Sequence, residues 1–266
     1  MKLYSLLNLG NTCYLNSVLQ CFINNPCFAN CSKKDSELAE LLKEINVDLT
    51  VNNEHINHKY DPNKIVTFFN KKFRRFQQHD AHEFLLEFLD ILDLKDYCGK
   101  FKMNITCSSC KNISSTYEDY STINLHVNLE NNLTDSFINY LKKENIHDYH
   151  CEKCNQKVLA DKKVYIYNLP NFLILVLKRY NINGKLNDSI SYPLENMKIR
   201  ETESGEIFSY ILYAIIYHYG HSHNGHYNCN VKINNNWYFI DDDSIYLNNN
   251  IENNNCNSYI LFYKKC

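Results

Sequence analysis

Apolar residues recur at helical spacing through the first third of the chain and then give way to short apolar runs. Residues 13–24 carry Val18, Leu19, Phe22 and Ile23 on one side, with Asn11 or Thr12 placed to cap the start. The pattern returns over 36–45 through Leu38, Leu41, Leu42 and Ile45, and over 63–70. It returns again over 80–93 through Phe84, Leu85, Phe88, Leu89 and Leu92. Beyond about residue 100 the character changes. Segments 122–129, 163–168, 172–179, 210–219, 226–233, 237–241 and 258–263 are short and rich in Val, Ile, Leu and Tyr. Asn, Gly or Pro bound them, which predicts strands. Residues 133–144 read as a helix among them. The prediction is an α+β fold, a helical lobe followed by a mostly antiparallel β lobe, with no repeat and no separating linker.

Composition narrows the class. A chain of 266 residues can bury one or two sizeable cores. Its net charge of -2, from 28 basic and 30 acidic residues, lacks the basic excess of a nucleic-acid binder. The run Lys71, Lys72, Arg74, Arg75 reads as a local solvated face. The apolar stretch at the N-terminus is too short for a secretory signal. The longest apolar runs, 172–177 and 210–216, fall far short of the roughly 20 residues of a spanning helix. The expectation is a soluble protein of the cytoplasm or nucleus, with no membrane insertion and no nucleic-acid partner. Twelve cysteines stay well under the roughly 8–10 % that marks a disulfide scaffold. Free thiols and a metal site in a reducing compartment fit better. Asn clusters at 130–132, 234–236 and 248–250 fall between periodic segments, as loops do.

Three constellations carry chemistry. Cys13 opens the first predicted helix, where unpaired backbone N–H groups and the helix dipole favour a thiolate. Gly10 allows a tight approach turn, and Asn8, five residues upstream, offers an amide to a developing oxyanion. An inert core cysteine is the rival reading. Near the other end stand Gly225-His226-Tyr227 and the segment 237–243, which closes on Asp241, Asp242 and Asp243. Two strands joined by an Asn-rich turn would bring His226 beside Asp241, giving a base held by a third group. Gly225 would leave room for a substrate backbone. Here the rival is a metal-binding loop of His221, His223 and His226. Finally, Cys107-x-x-Cys110 and Cys151-x-x-Cys154 have the spacing of tetrahedral structural Zn2+. A redox dithiol, His150 as a substitute ligand and a zinc-ribbon nucleic-acid module are the alternatives.

These motifs together resemble a known family. Residues 8–21, with Gly10-Asn11-Thr12-Cys13-Tyr14-Leu15-Asn16-Ser17, are similar to the Cys box of the ubiquitin-specific proteases, which are papain-like deubiquitinases. Gly225-His226-Tyr227, Trp237 and residues 239–242 resemble the His box, and residues 77–85 the glutamine–aspartate box. Leu169-Pro170 with residues 175–180 resembles the strand before the palm and residues 258–263 the closing strand, and the two cysteine pairs resemble the fingertip knuckles. The resemblance runs from first residues to last in the family's order.

It implies Cys13 as nucleophile, His226 as general base, Asp241 as orienting acid and Asn8 as oxyanion donor. Asp242 would support the oxyanion or the histidine network. Asp80 would meet the basic tail of the substrate, with Gln78, Gly225 and Tyr227 as further substrate contacts. Cys107, Cys110, Cys151 and Cys154 would hold one structural zinc, with no cofactor for the chemistry. The implied partners are ubiquitin and ubiquitinated proteins, and the implied reaction is hydrolysis after ubiquitin's terminal glycine through a thioester. Another ubiquitin-like modifier with a Gly-Gly tail, or a scaffold that binds without chemistry, are the rivals. The implied architecture is fingers, palm and thumb in a single catalytic domain over 1–266. The helical thumb takes about 1–97, the zinc-bearing fingers about 98–170 and the palm about 171–266. Leu6 stands where members commonly have glycine, and the short chain implies trimmed finger strands and cleft loops.

Overall fold

Helix α1 (Cys13–Ile23) is buried along its whole length, polar residues included. It therefore lies between two bodies rather than on one. On one side stand α2 (Glu37–Val51), α3 (Asn63–Phe69) and α4 (Ala81–Leu92); on the other lies a large sheet. The computed structural model describes residues 4–25, 36–51, 58–127, 132–182, 184–221 and 224–266. Helix α4 buries Ala81, Phe84, Leu85, Phe88, Leu89 and Leu92, the stripe the periodicity predicts. None of the described helices is long and apolar enough to cross a membrane.

One expected cap is corrected. Neither Asn11 nor Thr12 caps α1 with its side chain. Thr12 Oγ1 accepts from Leu9 N (2.9 Å), and Asn11 Nδ2 donates to Phe76 O (2.8 Å). Thr12 thus folds the approach turn and Asn11 ties it to Phe76, so the first N–H groups of α1 have no side-chain cap.

The strands follow in order. β1 (Tyr4–Leu6) pairs in parallel with β2 (His58–Tyr60). Then come β3 (Gly99–Cys107), β4 (Ile113–Tyr120), β5 (Ile123–His126), helix α5 (Leu133–Tyr140), β6 (Glu144–Cys151), β7 (Gln156–Asn168) and β8 (Phe172–Lys178). Short β9 (Tyr180–Asn181), β10 (Gly184–Lys185) and β11 (Ile190–Ser191) precede β12 (Met197–Arg200), β13 (Ile207–Gly220), β14 (Gly225–Ile233) and β15 (Asn236–Asp241). β16 (Ser244–Leu247), β17 (Asn254–Asn255) and β18 (Ser258–Lys265) close the chain. The large sheet has the order β16-β15-β14-β13-β18-β8-β5, with β12 alongside β13, and is antiparallel except for β5 and β8. A separate four-stranded antiparallel sheet has the order β4-β3-β7-β6.

Two cores use the two faces of the large sheet. Phe172, Ile174 and Val176 of β8 pack with the helical lobe. Leu173, Leu175 and Leu177 pack on the opposite side with α5 and the base of the small sheet. This explains why β8 reads as a continuous apolar run instead of an alternation.

Of the small sheet, the apolar pattern marks only the end of β7. β4 is exposed at every position from Ile113 to Asp119, so no buried face imposed a period on it. β3 does alternate, with Phe101, Met103 and Ile105 against Lys100, Lys102 and Asn104, and that signal was available. The arrangement of helical lobe, large sheet and projecting small sheet is that of thumb, palm and fingers.

Candidate active site

Cys13 is the first residue of α1 and is 5 % exposed. The chain reaches it through Gly10 (φ +92°) and Asn11 (φ +59°), residue types that tolerate left-handed backbone. Gly10 has no room for a side chain, since a Cβ there would lie 2.7 Å from the Phe76 ring. Phe76 is itself left-handed (φ +61°) and 72 % exposed at this lip. No sequence signal marked it.

His226 arrives from the β lobe. In the β13–β14 hairpin Tyr219 pairs with His226 and Gly220 with Gly225, which sets His226 at the head of β14. β14 turns into β15 through Asn234 and Asn235, both left-handed (φ +48° and +68°). Such a two-residue turn matches the strand twist and selects asparagine. The register pairs Cys229 with Ile240; one pair further, Asn228 faces Asp241. His226 and Asp241 thus share a face as diagonal neighbours, and His226 Nε2 meets Asp241 Oδ1 at 2.5 Å. That leaves Nδ1 for the thiol. The hydrogen bond with Cys13, first, and then Asp241 raise the His226 pKa to about 9, against the partial burial that opposes them.

Asp242, with φ +48°, turns the chain out of β15. Its carboxylate reaches the helical lobe: Oδ2 accepts from Asn8 Nδ2 (2.7 Å) and Oδ1 from Asn16 Nδ2 (2.8 Å). Burial pushes the Asp242 carboxyl up, and the two amides pull it back. Asn8 Oδ1 accepts from Gly10 N (3.0 Å) and Thr12 N (3.2 Å), so both ends of the Asn8 amide are held. The histidine-rich metal reading needs His223, which lies outside the described residues; His226 is grouped instead with Asp241 and Asp242.

A tyrosine network lies beside this centre. Asp80 caps α4, its Oδ1 accepting from His82 N (2.7 Å) and Glu83 N (3.0 Å). Its Oδ2 accepts from Tyr227 (3.2 Å) and Tyr259 (2.8 Å) hydroxyls. Burial first, then the Asp80 charge, hold both phenols above their ordinary range, so they stay protonated donors. A carboxylate offers about four acceptor sites, and Asp80 uses all four internally. An arriving guanidinium would therefore have to displace a tyrosine. Gln78 Oε1 accepts from Gly225 N at 2.8 Å, which ties the loop before α4 to the head of β14.

Gly225 is also reinterpreted. A Cβ there would meet His218 Nε2 at 2.0 Å and Tyr219 O at 2.6 Å. The space a side chain at 225 would take is filled by His218. That ring is hydrogen-bonded to Tyr180 through Nδ1, and burial lowers its pKa to about 4. Gly225→Ala should destabilise the fold by about 1–3 kcal/mol through overpacking. An unaltered thermal midpoint would refute this account of the glycine.

At the tip of the small sheet Cys107, Cys110, Cys151 and Cys154 place their sulfurs within 4.8 Å of one another. Sγ of Cys107 and Cys154 are 3.8 Å apart, and those of Cys110 and Cys151 are 3.7 Å apart. The edge of a tetrahedron with Zn–S bonds of about 2.3 Å is about 3.8 Å. The donor set fits zinc, and His150, exposed, is not part of it.

The family model described as ubiquitin carboxyl-terminal hydrolase matches residues 4–263. Among curated relatives, ubiquitin carboxyl-terminal hydrolase 17-like protein D of Mus musculus is 29 % identical over 96 % of this chain and 53 % of its own length. The 17-like protein 15 of Homo sapiens is 30 % identical, over 96 % of this chain and 52 % of its own. The chain thus spans about half the length of these relatives. A solved SAGA DUB module, Ubp8/Sgf11/Sus1/Sgf73 bound to monoubiquitin, is similar with a TM-score of 0.85 and 26 % identity, covering 99 % of this chain and 69 % of that one. The same module bound to ubiquitin aldehyde gives 0.82 and 28 %, covering 99 % and 70 %. With the fold, the order of its motifs and the match along nearly its whole length in agreement, this chain belongs to the ubiquitin carboxyl-terminal hydrolase family.

Proposed function

We propose that the protein is a thiol-dependent deubiquitinase that hydrolyses the peptide or isopeptide bond after the terminal glycine of ubiquitin. The observation that carries this reading is the convergence of Cys13, His226 and Asp241 from opposite ends of the chain, with His226 Nε2 hydrogen-bonded to Asp241 and the Cys13 thiol acting on the same imidazole. The relatives' names and the ubiquitin-bound neighbours support the substrate.

In this reading Cys13 attacks the glycine carbonyl while His226 accounts for the thiol proton, and Asp241 fixes the imidazole with Nδ1 toward sulfur. The tetrahedral oxyanion is met by the second N–H of the Asn8 amide, the first being held by Asp242. Uncapped N–H groups at the head of α1 assist. The imidazolium then protonates the departing lysine amine, and water hydrolyses the thioester. Asp80, already saturated, supplies charge and holds Tyr227 and Tyr259 along the tail channel, and Gln78 binds the head of β14 beside it. Cys107, Cys110, Cys151 and Cys154 would hold one structural zinc, which ties the finger strands and takes no part in the reaction. Within the single catalytic domain we assign the thumb to about 1–97, the fingers to about 98–170 and the palm to about 171–266. The cytoplasm or nucleus is the expected compartment.

The test is the pH profile of kcat/KM on a fluorogenic C-terminal amide of ubiquitin. A neutral imidazole cannot protonate the leaving amine, so the rate should fall as pH rises through about 9, the His226 value. Asp241→Asn removes a charge that raises this pKa, so the descending limb should move to lower pH. A limb that stays where it was would refute the pairing. Absence of hydrolysis by the wild-type protein at every pH would refute the function.

A further inference from the structure

Among the groups the mechanism does not use, Asn16 stands out. It lies one helical turn after Cys13, is 2 % exposed, and no sequence argument singled it out. Its Nδ2 donates to Asp242 Oδ1 (2.8 Å) and to Leu7 O (3.2 Å), which uses both of its hydrogens, and the Leu6 carbonyl lies 3.5 Å away. Its Oδ1 is buried without a partner. A buried amide normally satisfies both ends, so the side chain is held here for its donors alone. Flipping it would aim oxygen at a carboxylate and two carbonyls.

We propose that Asn16 is the positioning residue for the oxyanion donor. It rests on the reading of Asn8 as that donor, and acts at both ends of it. Through Leu7 O it fixes the backbone that delivers Asn8. Through Asp242 it fixes the carboxylate whose other oxygen orients the Asn8 amide at 2.7 Å. Leu6 N, donating to Asp242 O at 3.0 Å, closes the same ring from the backbone. Because Asn16 and Cys13 share one rigid helix, the donor is referenced to the sulfur it serves. Preorganisation of this kind costs no reorganisation when charge develops.

Gln20, one turn further along α1, supplies the internal comparison. It is 1 % exposed and its Nε2 donates to Tyr4 O at 2.6 Å, whereas the Asp242 carboxylate, among the described residues, is held by Asn8 and Asn16. Both side chains anchor the N-terminal strand segment, whereas Asn16 alone of the two reaches the carboxylate.

The experiment measures kcat and KM on the fluorogenic ubiquitin amide for Asn16→Leu, Gln20→Met, Asn8→Ala and the Asn8→Ala/Asn16→Leu double variant. Asn16→Leu should lower kcat by about 10- to 100-fold with little change in KM. That is part of the 10²–10³ lost when such a donor is removed outright. Gln20→Met should lower thermal stability and leave kcat near wild type. In the Asn8→Ala background Asn16→Leu should have almost no further effect, because the group it positions is gone. Asn16→Ser, which leaves a polar space that water can fill, replaces the leucine variant if that one does not fold. An unchanged kcat, or a loss that multiplies in full with that of Asn8→Ala, overturns the positioning role. An inactive wild-type protein overturns the parent reading and this inference together.

Discussion

Cys13→Ala should reduce hydrolysis of a ubiquitin C-terminal amide by on the order of a million-fold, as removal of a nucleophile does elsewhere, while ubiquitin binding persists. The groups proposed to act beside Cys13 among the described residues, His226, Asp241, Asp242 and Asn8, offer no second sulfur on which the acyl bond could form. Cys13 is 5 % exposed and sits at a helix start, where alanine is tolerated and the packing lost is small. The groups proposed to line the tail channel, Asp80, Gln78, Tyr227 and Tyr259, are untouched, so affinity should stay close to wild type. Binding is measured by titration with labelled ubiquitin, and the reacting residue by mass spectrometry after a C-terminal electrophilic ubiquitin probe. A probe adduct on another cysteine, or turnover retained by the alanine variant, would sink the assignment. A parallel panel of electrophilic probes made from related modifiers tests the partner itself, because the labelled modifier is the one whose tail fits the slot.

The second large effect concerns the fingers. Metal analysis should find one zinc per chain, and Cys151→Ala or strong chelation should unfold the tip of the small sheet. Structural zinc sites bind with apparent free energies of about 10–16 kcal/mol, and that energy is folding energy. β4 is exposed along almost its whole length, so it contributes little apolar burial of its own. The cysteine clip joins the β3–β4 turn to the β6–β7 turn at the end far from the palm. At the near end Phe101, Tyr120 and Ile166 belong to the core shared with the large sheet and should remain ordered. The expected result is loss of hydrogen-exchange protection in the outer halves of β3, β4, β6 and β7. Reaction of Cys13 with a small electrophile should be unchanged. Zinc-free protein with full protection in those strands would rule out the structural role.

How far the chain could be read depended on burial. The thumb helices and β8, β13, β14 and β18 were legible because each meets a core on at least one face. The finger strands β4 and β6 have solvent on most positions, and nothing imposed a pattern on them. Cys13, His226, Asp241 and the four metal-spaced cysteines stood out in the sequence because the chemistry proposed for them constrains residue type and local spacing. Gly225 was legible as a required glycine, but the neighbour that excludes a Cβ there, His218 across a hairpin, was not. Asp80 was legible as important, yet its four internal bonds were not.

The sequence alone carried the α+β class, and it singled out the side chains proposed here to react and to hold the metal. These follow from periodicities and motifs spanning a few residues, which local chemistry enforces. The tertiary structure alone decided which end of each polar group is engaged. Asn16 and Asp242 meet at 2.8 Å across 226 positions of chain, and Tyr259 reaches Asp80 across 179. Such contacts are set by the path of the backbone through the packed fold, because a hydrogen bond is sensitive to a few tenths of an ångström and no local pattern encodes that distance.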